Sequence, residues 1–269
     1  MEQHRTITFE GRTMHYRDEG RDNHQTLVLL HGFMQNLDVW TSYVLSYMNH
    51  LRVITIDLPG HGLSDLFCDT HSMDFMARAV KAVLTHAGVE NCVMMGHSMG
   101  GYVALAFAEA NPYMLRGLGL VNSHALADND EHRAYRDDVC KQVQSNRAAF
   151  IVKFVPSLFD PSCHAALSHD MKDIQDQCLE MRSESIIAAQ RGMAQRPSRL
   201  NLLGKLDIPV LFVYGKNDNR IPLELAVSQA MIPARAEIHL LENVGHMSFI
   251  EQREYLKPRL LNFVHTCYV

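Results

Sequence analysis

The sequence contains no apolar run long enough to cross a bilayer, since even Leu27–Leu30 and Val210–Tyr214 extend over only a few residues. It has no surplus of positive charge either. Its 25 Lys and Arg stand against 30 Asp and Glu, which argues against nucleic acid or an anionic membrane as the main partner. No charged and then apolar leader follows Met1, so we expect no secretory signal. The 6 cysteines lie far apart without a CxxC pair, which predicts free thiols in a reduced, cytoplasmic protein.

Short continuous apolar runs alternate with stretches of helical periodicity, such as Phe75–His86 and Gly101–Ala110. The runs are Thr26–Leu30, Val53–Ile56, Cys92–Met95, Leu118–Val121, Ile208–Tyr214 and Glu237–Leu241. Runs without polar alternation indicate strands buried on both faces, as in a parallel sheet covered by helices. With an N-terminal hairpin around Gly11, the pattern predicts an α/β fold with a doubly wound, mostly parallel central sheet.

One interval breaks this alternation. From Ser123 to Gln195 the sequence has no convincing buried strand and is typical of several polar helices, which we interpret as a helical cap inserted over the sheet. The predicted parts of the chain are a first part of the core, a cap and a second part of the core: 1–122, 123–195 and 196–269. The final helix is predicted to begin around Glu254–Lys257, with Pro258 in its first turn.

A serine lies in a tight turn between a predicted strand and a predicted helix. Residues 96–100, GHSMG, follow the Cys92–Met95 strand and match the G-x-S-x-G nucleophile elbow in the context that the motif requires. Glycines two positions to either side remove side chains that would collide in such a turn. The turn lifts the Ser98 hydroxyl clear of the sheet and aims a helix N-terminus at the place where negative charge develops.

A serine hydroxyl needs a base and an orienting acid before it can attack a carbonyl group. Of the 16 histidines, His246 stands out because it lies in a loop just after the last apolar run. In chain order the acid must lie between the serine and the histidine, and Asp218 does so just beyond the Ile208–Tyr214 strand. Since no carboxylate follows Leu118–Val121 before Asp128, Asp218 is the better candidate.

Two backbone amides are candidates for an oxyanion hole. One belongs to Met99, directly after the serine, and the other to Phe33 in the HGF loop after the Thr26–Leu30 strand. The Gly-rich loop Asp57–Ser64 lacks a phosphate-binding signature, so we interpret it as a wall of the pocket. The histidines lack metal-ligand spacing, and we expect neither a metal nor an organic cofactor.

With these residues in place, the chain resembles the α/β-hydrolase superfamily, in its cap-bearing, single-domain branch. The resemblance covers nearly the whole length. The motifs that carry it are His31-Gly32-Phe33, Asp57–Ser64, the elbow around Ser98, the Pro209–Asp218 strand and loop, and Val244-Gly245-His246. The resemblance implies that Ser98 is the nucleophile, Asp218 the acid and His246 the base.

Two differences from related families argue against particular reactions. Superfamily members that dehalogenate or open epoxides carry Asp at the nucleophile position, so Ser98 speaks against both reactions. Synthases of the menaquinone pathway have a similar first loop, but they usually carry an arginine directly after the elbow glycines. This chain has Tyr102 there, which weakens that match.

The leading prediction is a serine hydrolase that cleaves a carboxylic ester of a small, largely apolar molecule through an acyl-enzyme, with thioesters and amides left open as substrates. Asp218 fixes the tautomer of His246, which withdraws the proton of Ser98. The alternatives are a triad-based lyase or synthase of the menaquinone-pathway type, an acyltransferase, and a non-enzymatic small-molecule receptor on the same fold.

Substrate choice is expected to lie with the cap and with the rim of the site. Polar side chains near the elbow suit the rim, and flexible methionines suit an adaptable apolar lining. The candidate pocket residues are Gln35, Trp40, Tyr102, Met181, Met193 and Met247.

Overall fold

Eight strands form one sheet in the computed structural model, which describes residues 4–269. The strands are β1 (His4–Phe9), β2 (Arg12–Glu19), β3 (Thr26–Leu30), β4 (Arg52–Ile56), β5 (Cys92–His97), β6 (Leu115–Val121), β7 (Val210–Gly215) and β8 (Ala236–Leu241). Their order across the sheet is β1-β2-β4-β3-β5-β6-β7-β8. The β1–β2 and β2–β4 pairs are antiparallel and all other neighbouring pairs are parallel. The predicted α/β fold with a mostly parallel sheet is confirmed.

Ten α-helices flank the sheet in the described part of the chain. They are α1 (Thr41–Tyr47), α2 (Met73–His86), α3 (Met99–Ala110), α4 (Asp130–Phe154), α5 (Ser168–Glu180), α6 (Ser183–Ala194), α7 (Leu200–Leu203), α8 (Leu223–Ala230), α9 (Ser248–Glu251) and α10 (Arg253–Thr266). Strands β3 and β5 are buried along their whole length between the helical layers, as their continuous apolar sequences require. None of the helices among residues 4–269 combines the length and apolar character needed to cross a bilayer.

The long interval between β6 and β7, residues 122–209, contains no strand and is built from α4, α5, α6 and α7. Helix α4 is two helical segments joined at a kink, because Asn146 has non-helical backbone angles, φ −154° and ψ 85°. The Asn146 side chain accepts a hydrogen bond from the amide of Ala149 at 3.0 Å and so caps the second segment. The cap boundaries at 123 and 195 stay a prediction.

The C-terminal helix differs from the prediction at its first turn. Helix α10 begins at Arg253, directly after the short helix α9, so Pro258 is its sixth residue rather than a first-turn residue. A proline there lacks the amide hydrogen that would bond the carbonyl group of Glu254. Gln252, between α9 and α10, has non-helical backbone angles, φ −129° and ψ 41°, so α10 starts as a separate helix at Arg253.

The parallel strands bring their carboxyl ends to one edge of the sheet, where sites of open α/β folds form. Ser98 directly follows β5 and Asn122 directly follows β6. Asp218 lies three residues beyond β7, and His246 lies in the loop between β8 and α9. Side chains that are far apart in sequence therefore meet at this edge.

Candidate active site

Three side chains from separate strand ends form a continuous hydrogen-bonded line. Ser98 Oγ lies 2.9 Å from His246 Nε2. His246 Nδ1 lies 2.8 Å and 3.0 Å from the two carboxylate oxygens of Asp218. Asp218 and His246 are both buried, with 8% and 5% of their surface exposed. The structure therefore brings together the serine, histidine and aspartate that the sequence singled out.

The backbone of the serine turn has the conformation that its glycines suggest. Ser98 adopts φ 50° and ψ −113°, which L-residues rarely populate and which the surrounding structure must hold in place. A Cβ on Gly96 would lie 2.2 Å from the carbonyl group of Gly100, and a Cβ on Gly100 would lie 2.5 Å from the carbonyl oxygen of Leu30. Only glycine fits at either position, so the turn can present Ser98 at the start of α3.

Asp218 is held by two neighbours as well as by His246. Asn122 donates a side-chain hydrogen bond to Asp218 Oδ2 at 2.9 Å, and the Arg220 amide donates to Oδ1 at 2.8 Å. Burial alone would raise the pKa of Asp218, but the charge and hydrogen bond of His246, with the bonds from Asn122 and Arg220, lower it below its usual value. Asp218 is therefore ionised and accepts the Nδ1–H of His246. Sequence reasoning missed Asn122, although a polar residue directly after a buried strand was a usable signal.

The loop that carries His246 is fixed on both sides of the ring. The Glu251 carboxylate accepts hydrogen bonds from the amide of Gly245 at 3.0 Å and from the amide of Met247 at 3.1 Å. The His246 amide donates to the carbonyl oxygen of Leu158 at 2.7 Å. Glu251 was not predicted, because nothing in its sequence position marks a carboxylate that reaches back to the loop.

The two candidate oxyanion amides are buried, and neither has an acceptor among the described residues. Met99 is the first residue of α3, so its N–H has no partner within the helix. Phe33 lies in the loop after β3 and faces the same cavity as Ser98. Buried amides without an acceptor are rare in folded proteins, and here two of them belong to residues beside the serine turn.

Comparison with known proteins identifies the family of this chain. The model of the alpha/beta hydrolase family matches residues 27–257. The chain belongs to this family.

Three similar proteins illustrate the range of the family. A dihydrolipoyllysine-residue acetyltransferase component of an acetoin cleaving system from Pseudomonas putida is 30% identical over 262 residues, which cover 94% of this chain and 67% of that protein. A 2-hydroxy-6-oxononadienedioate/2-hydroxy-6-oxononatrienedioate hydrolase from Paraburkholderia phymatum is 25% identical, with 93% and 90% covered. The structure of a thermophilic esterase from Thermogutta terrifontis with malate bound superimposes with a TM-score of 0.92 at 27% identity, covering 99% of this chain and 100% of that one.

A cavity of about 330 Å³ in this α/β hydrolase opens beside Ser98 and His246. Its wall combines apolar side chains with charged ones. The other lining residues are Phe33, Tyr102, His124, Asp128, Glu131, His132, Tyr135, Arg136, Phe154, Leu158, Gln190, Met193, Asn219, Arg220 and Ile221. Nine of them come from the interval between Asp128 and Met193, so that helical interval forms much of the wall.

Two of the six candidate pocket residues, Tyr102 and Met193, line this cavity. Gln35 does not, because its side-chain oxygen accepts the Gly32 amide at 2.8 Å and turns into the protein. Met181 lines a separate cavity on the other side of that loop.

The remaining two candidates, Trp40 and Met247, are fully buried core residues rather than pocket residues. The Trp40 ring packs 4.3 Å from the ring of Phe249. Met247 directly follows His246, but its sulfur points away from the cavity to the side-chain amide of Gln35. Apolar character alone did not separate a pocket wall from the core, since both bury such side chains.

His124 contacts the Tyr102 hydroxyl at the cavity wall. The Leu126 amide donates to His124 Nδ1 at 3.2 Å, and His124 Nε2 lies 3.2 Å from the Tyr102 hydroxyl oxygen. The Arg196 guanidinium lies 3.5 Å from the same ring nitrogen. Burial, with the nearby charge of Arg196, lowers the pKa of His124 to about 3, so its ring is neutral.

Asp128 lies at the centre of an ionic cluster in the cavity wall. Its carboxylate binds the Arg196 guanidinium at 2.6 Å and also pairs with Arg136. Burial would raise the pKa of Asp128, but the two arginines lower it below its usual value. Two positive charges on one negative charge leave a surplus positive charge at this wall.

Residues 4–269 contain no group of three or more His, Cys, Asp or Glu side chains arranged to hold a metal ion.

Proposed function

We propose that this α/β hydrolase cleaves a carboxylic ester of a small molecule by transferring its acyl group to Ser98 and then to water. The observation that carries the proposal is the line from Ser98 Oγ through His246 to Asp218, with contacts of 2.9 Å and 2.8 Å. Such a line activates a serine hydroxyl at neutral pH. Thioesters and amides place the same carbonyl carbon before the serine and belong to the same proposal.

The reaction runs in two halves. His246 Nε2 takes the Ser98 proton as Oγ bonds to the carbonyl carbon, and the carbonyl oxygen becomes an anion that the Met99 and Phe33 amides stabilise. The bond to the alcohol oxygen then breaks, and the alcohol leaves with the proton from His246. Water next gives a proton to His246 and attacks the acyl carbon. The bond from that carbon to Ser98 Oγ then breaks, His246 returns the proton to Oγ, and the acid is released. Asp218 remains ionised and stabilises the imidazolium in both halves.

The helical interval, proposed as a cap over residues 123–195, limits the substrate to a small molecule. The cavity of about 330 Å³ is at the lower end of common ligand sites. Phe154, Leu158 and Met193 offer an apolar surface, while Arg136 and Arg220 lie in the same wall. We therefore replace the expectation of a largely apolar substrate with a molecule that has apolar and polar parts.

The Ser98→Ala variant tests this function. It should abolish labelling by a fluorophosphonate probe and lower kcat/KM for a short p-nitrophenyl ester by about 10³-fold or more. Ser228→Ala, which changes an exposed serine on α8, is the matched control and should behave as the wild type. Undiminished hydrolysis by Ser98→Ala would contradict the proposal.

Acyl transfer to an acceptor other than water is a second candidate. It is favoured by the 30% identity to the acetyltransferase component from Pseudomonas putida. Adding alcohols, thiols or amines to the ester assay distinguishes the two functions. An acyltransferase would divert most of the acyl-enzyme to the acceptor, whereas a hydrolase would continue to form the free acid.

A further inference from the structure

Arg220 lines the cavity without a carboxylate partner among the described residues. Its Nη1 donates to the Tyr135 hydroxyl at 3.0 Å, and its Nη2 donates to Ser157 Oγ at 2.9 Å. The guanidinium lies 5.1 Å from the centroid of the Phe154 ring. Neutral neighbours therefore hold the group in place while its charge stays uncompensated.

The Nε–H of Arg220 is buried and has no acceptor among residues 4–269. A buried donor without an acceptor destabilises the fold, and more so when the group is charged, so an oxygen from a ligand is favoured beside it. Arginine also offers parallel donors that match a carboxylate. The orphaned Nε–H and the unpaired charge are two separate observations on one side chain.

The rest of the wall does not compensate this charge. The cluster of Arg136, Arg196 and Asp128 is itself positive by one unit. The other lining carboxylate, Glu131, is exposed in the first turn of α4 and forms no ion pair with an arginine of the wall among the described residues. The wall around Arg220 therefore attracts an anion.

We propose that the substrate carries a carboxylate remote from its scissile carbonyl group and that Arg220 binds this carboxylate. This inference rests on the proposed function and deepens it by naming the substrate class. The Arg220 amide donates to Asp218, so the side chain starts beside the catalytic line. A substrate anchored there places its carbonyl group within the same cavity as Ser98.

Two matched pairs of esters test the proposal. Monomethyl glutarate and methyl glutaramate differ only in a carboxylate against a carboxamide on the acyl side. The pair of γ-acetoxybutyrate and γ-acetoxybutyramide makes the same comparison on the alcohol side. For each compound we would measure kcat/KM and the slowing of Ser98 labelling by a neutral fluorophosphonate probe, so that binding is observed even without turnover.

The wild type should prefer the carboxylate of at least one pair by about tenfold or more, in turnover or in protection. Arg220→Gln should bring that ratio close to one, and Arg220→Lys should keep part of it, since the charge remains but the fork of donors is lost. The ratio removes any general loss of activity from the comparison. Arg116→Gln, an exposed arginine at the opposite end of β6, removes the same charge and should keep the wild-type ratio.

Each possible negative result of these experiments contradicts a different part of the proposal. If Ser98 is labelled but neither pair shows a preference in turnover or protection, the carboxylate-bearing substrate is wrong. If the preference survives in Arg220→Gln, the assignment to Arg220 is wrong. If Ser98 is not labelled and no ester is hydrolysed, the proposed function fails, and this inference fails with it.

Discussion

Two buried histidine–carboxylate pairs lie at the carboxyl end of the sheet, and in the described part of the chain only one of the two histidine rings contacts a serine hydroxyl. His246 and Asp218 are 2.8 Å apart, and His15 and Asp57 are 2.6 Å apart. Burial alone would raise the pKa of both carboxyl groups, but interactions with the paired histidine lower it in each case. By distance, burial and the direction in which the carboxyl pKa is shifted, the two pairs are nearly equivalent.

The two pairs differ in the groups that they contact beyond each other. His246 Nε2 meets the hydroxyl of Ser98 in its strained turn, whereas His15 Nε2 meets the ring of the exposed residue His4 at 2.7 Å. Asp57 instead accepts backbone amides of two neighbouring loops, including Leu37 at 2.8 Å. A histidine–carboxylate pair is therefore a common way to tie buried segments together. The adjacent serine, the free amides and the cavity are what favour a catalytic role.

Replacing the aspartate of each pair should have the largest effects and should distinguish a catalytic pair from a structural one. Asp218→Asn leaves Asn122 and the fold in place but favours the wrong tautomer of His246. We expect kcat for a short p-nitrophenyl ester to fall by about 10⁴-fold. The free energy of unfolding, measured by urea denaturation, should change much less than the activity.

Asp57→Asn is the reciprocal variant. It weakens the buried hydrogen bond to His15 and the bonds that support two loops, so we expect a loss of about 3 kcal/mol in the free energy of unfolding. The folded fraction should keep kcat within about tenfold of the wild type, because His15 does not touch the reacting atoms. A loss of activity as large as that of Asp218→Asn, without a loss of stability, would show that the two pairs had been assigned the wrong way round.

The sequence predicts the line of Ser98, His246 and Asp218 because the ends of the strands can be recognised in it. Continuous apolar runs locate β5 and β7, and a residue that follows such a run must lie at the site edge of a parallel sheet. Ser98 and Asp218 needed no more information than that. His246 was found with the same rule, since it follows the last strand.

The pocket could not be predicted in the same way, because it depends on how helices of the interval sit over the sheet. Arg220 is visible in the sequence as a loop residue, but its contact with Tyr135 requires the position of α4. Trp40 and Met247 have the composition of a pocket wall and belong to the core. A polar, kinked helix has no periodic sequence pattern that would show which of its side chains face a cavity.

Acid should destabilise the fold, because burial keeps the rings of His61, His71, His97 and His124 neutral. Burial lowers the pKa of His61 to about 3 and of His71 to about 4, and it also lowers the pKa of His31. Unfolded histidines bind protons below pH 6.5, so the unfolded chain binds more protons than the folded chain between pH 6.5 and 4. The free energy of unfolding should therefore fall as pH decreases through this window, by up to about 1.4 kcal/mol per pH unit for each histidine.

His71→Gln tests the assignment of this acid sensitivity. His71 Nε2 accepts the Phe67 amide at 3.2 Å, and the glutamine oxygen can accept in its place without titrating. The loss of stability between pH 7 and pH 5, measured by urea denaturation, should be smaller than in the wild type by about 2 kcal/mol. An unchanged loss would mean that His71 is not neutral in the fold.

The smallest expected effect comes from the way in which the loop of His246 is held. The two histidines differ in the elements that fix their positions. His15 lies in β2, between β1 and β4, whereas His246 lies in a loop that Glu251 holds through two amides. Glu251→Gln replaces one acceptor oxygen by a donor, so either the Met247 amide or the Asp160 amide then faces a like group and the loop loosens.

We expect kcat to fall by about tenfold with little change in KM, because the base is misplaced while the cavity is intact. Stability should fall by about 1 kcal/mol. Glu254→Gln, an exposed carboxylate in the first turn of α10, makes the same chemical change away from the loop and should leave kcat unaltered. Equal kcat values for the two variants would show that the Glu251 carboxylate is not needed to hold His246 in place.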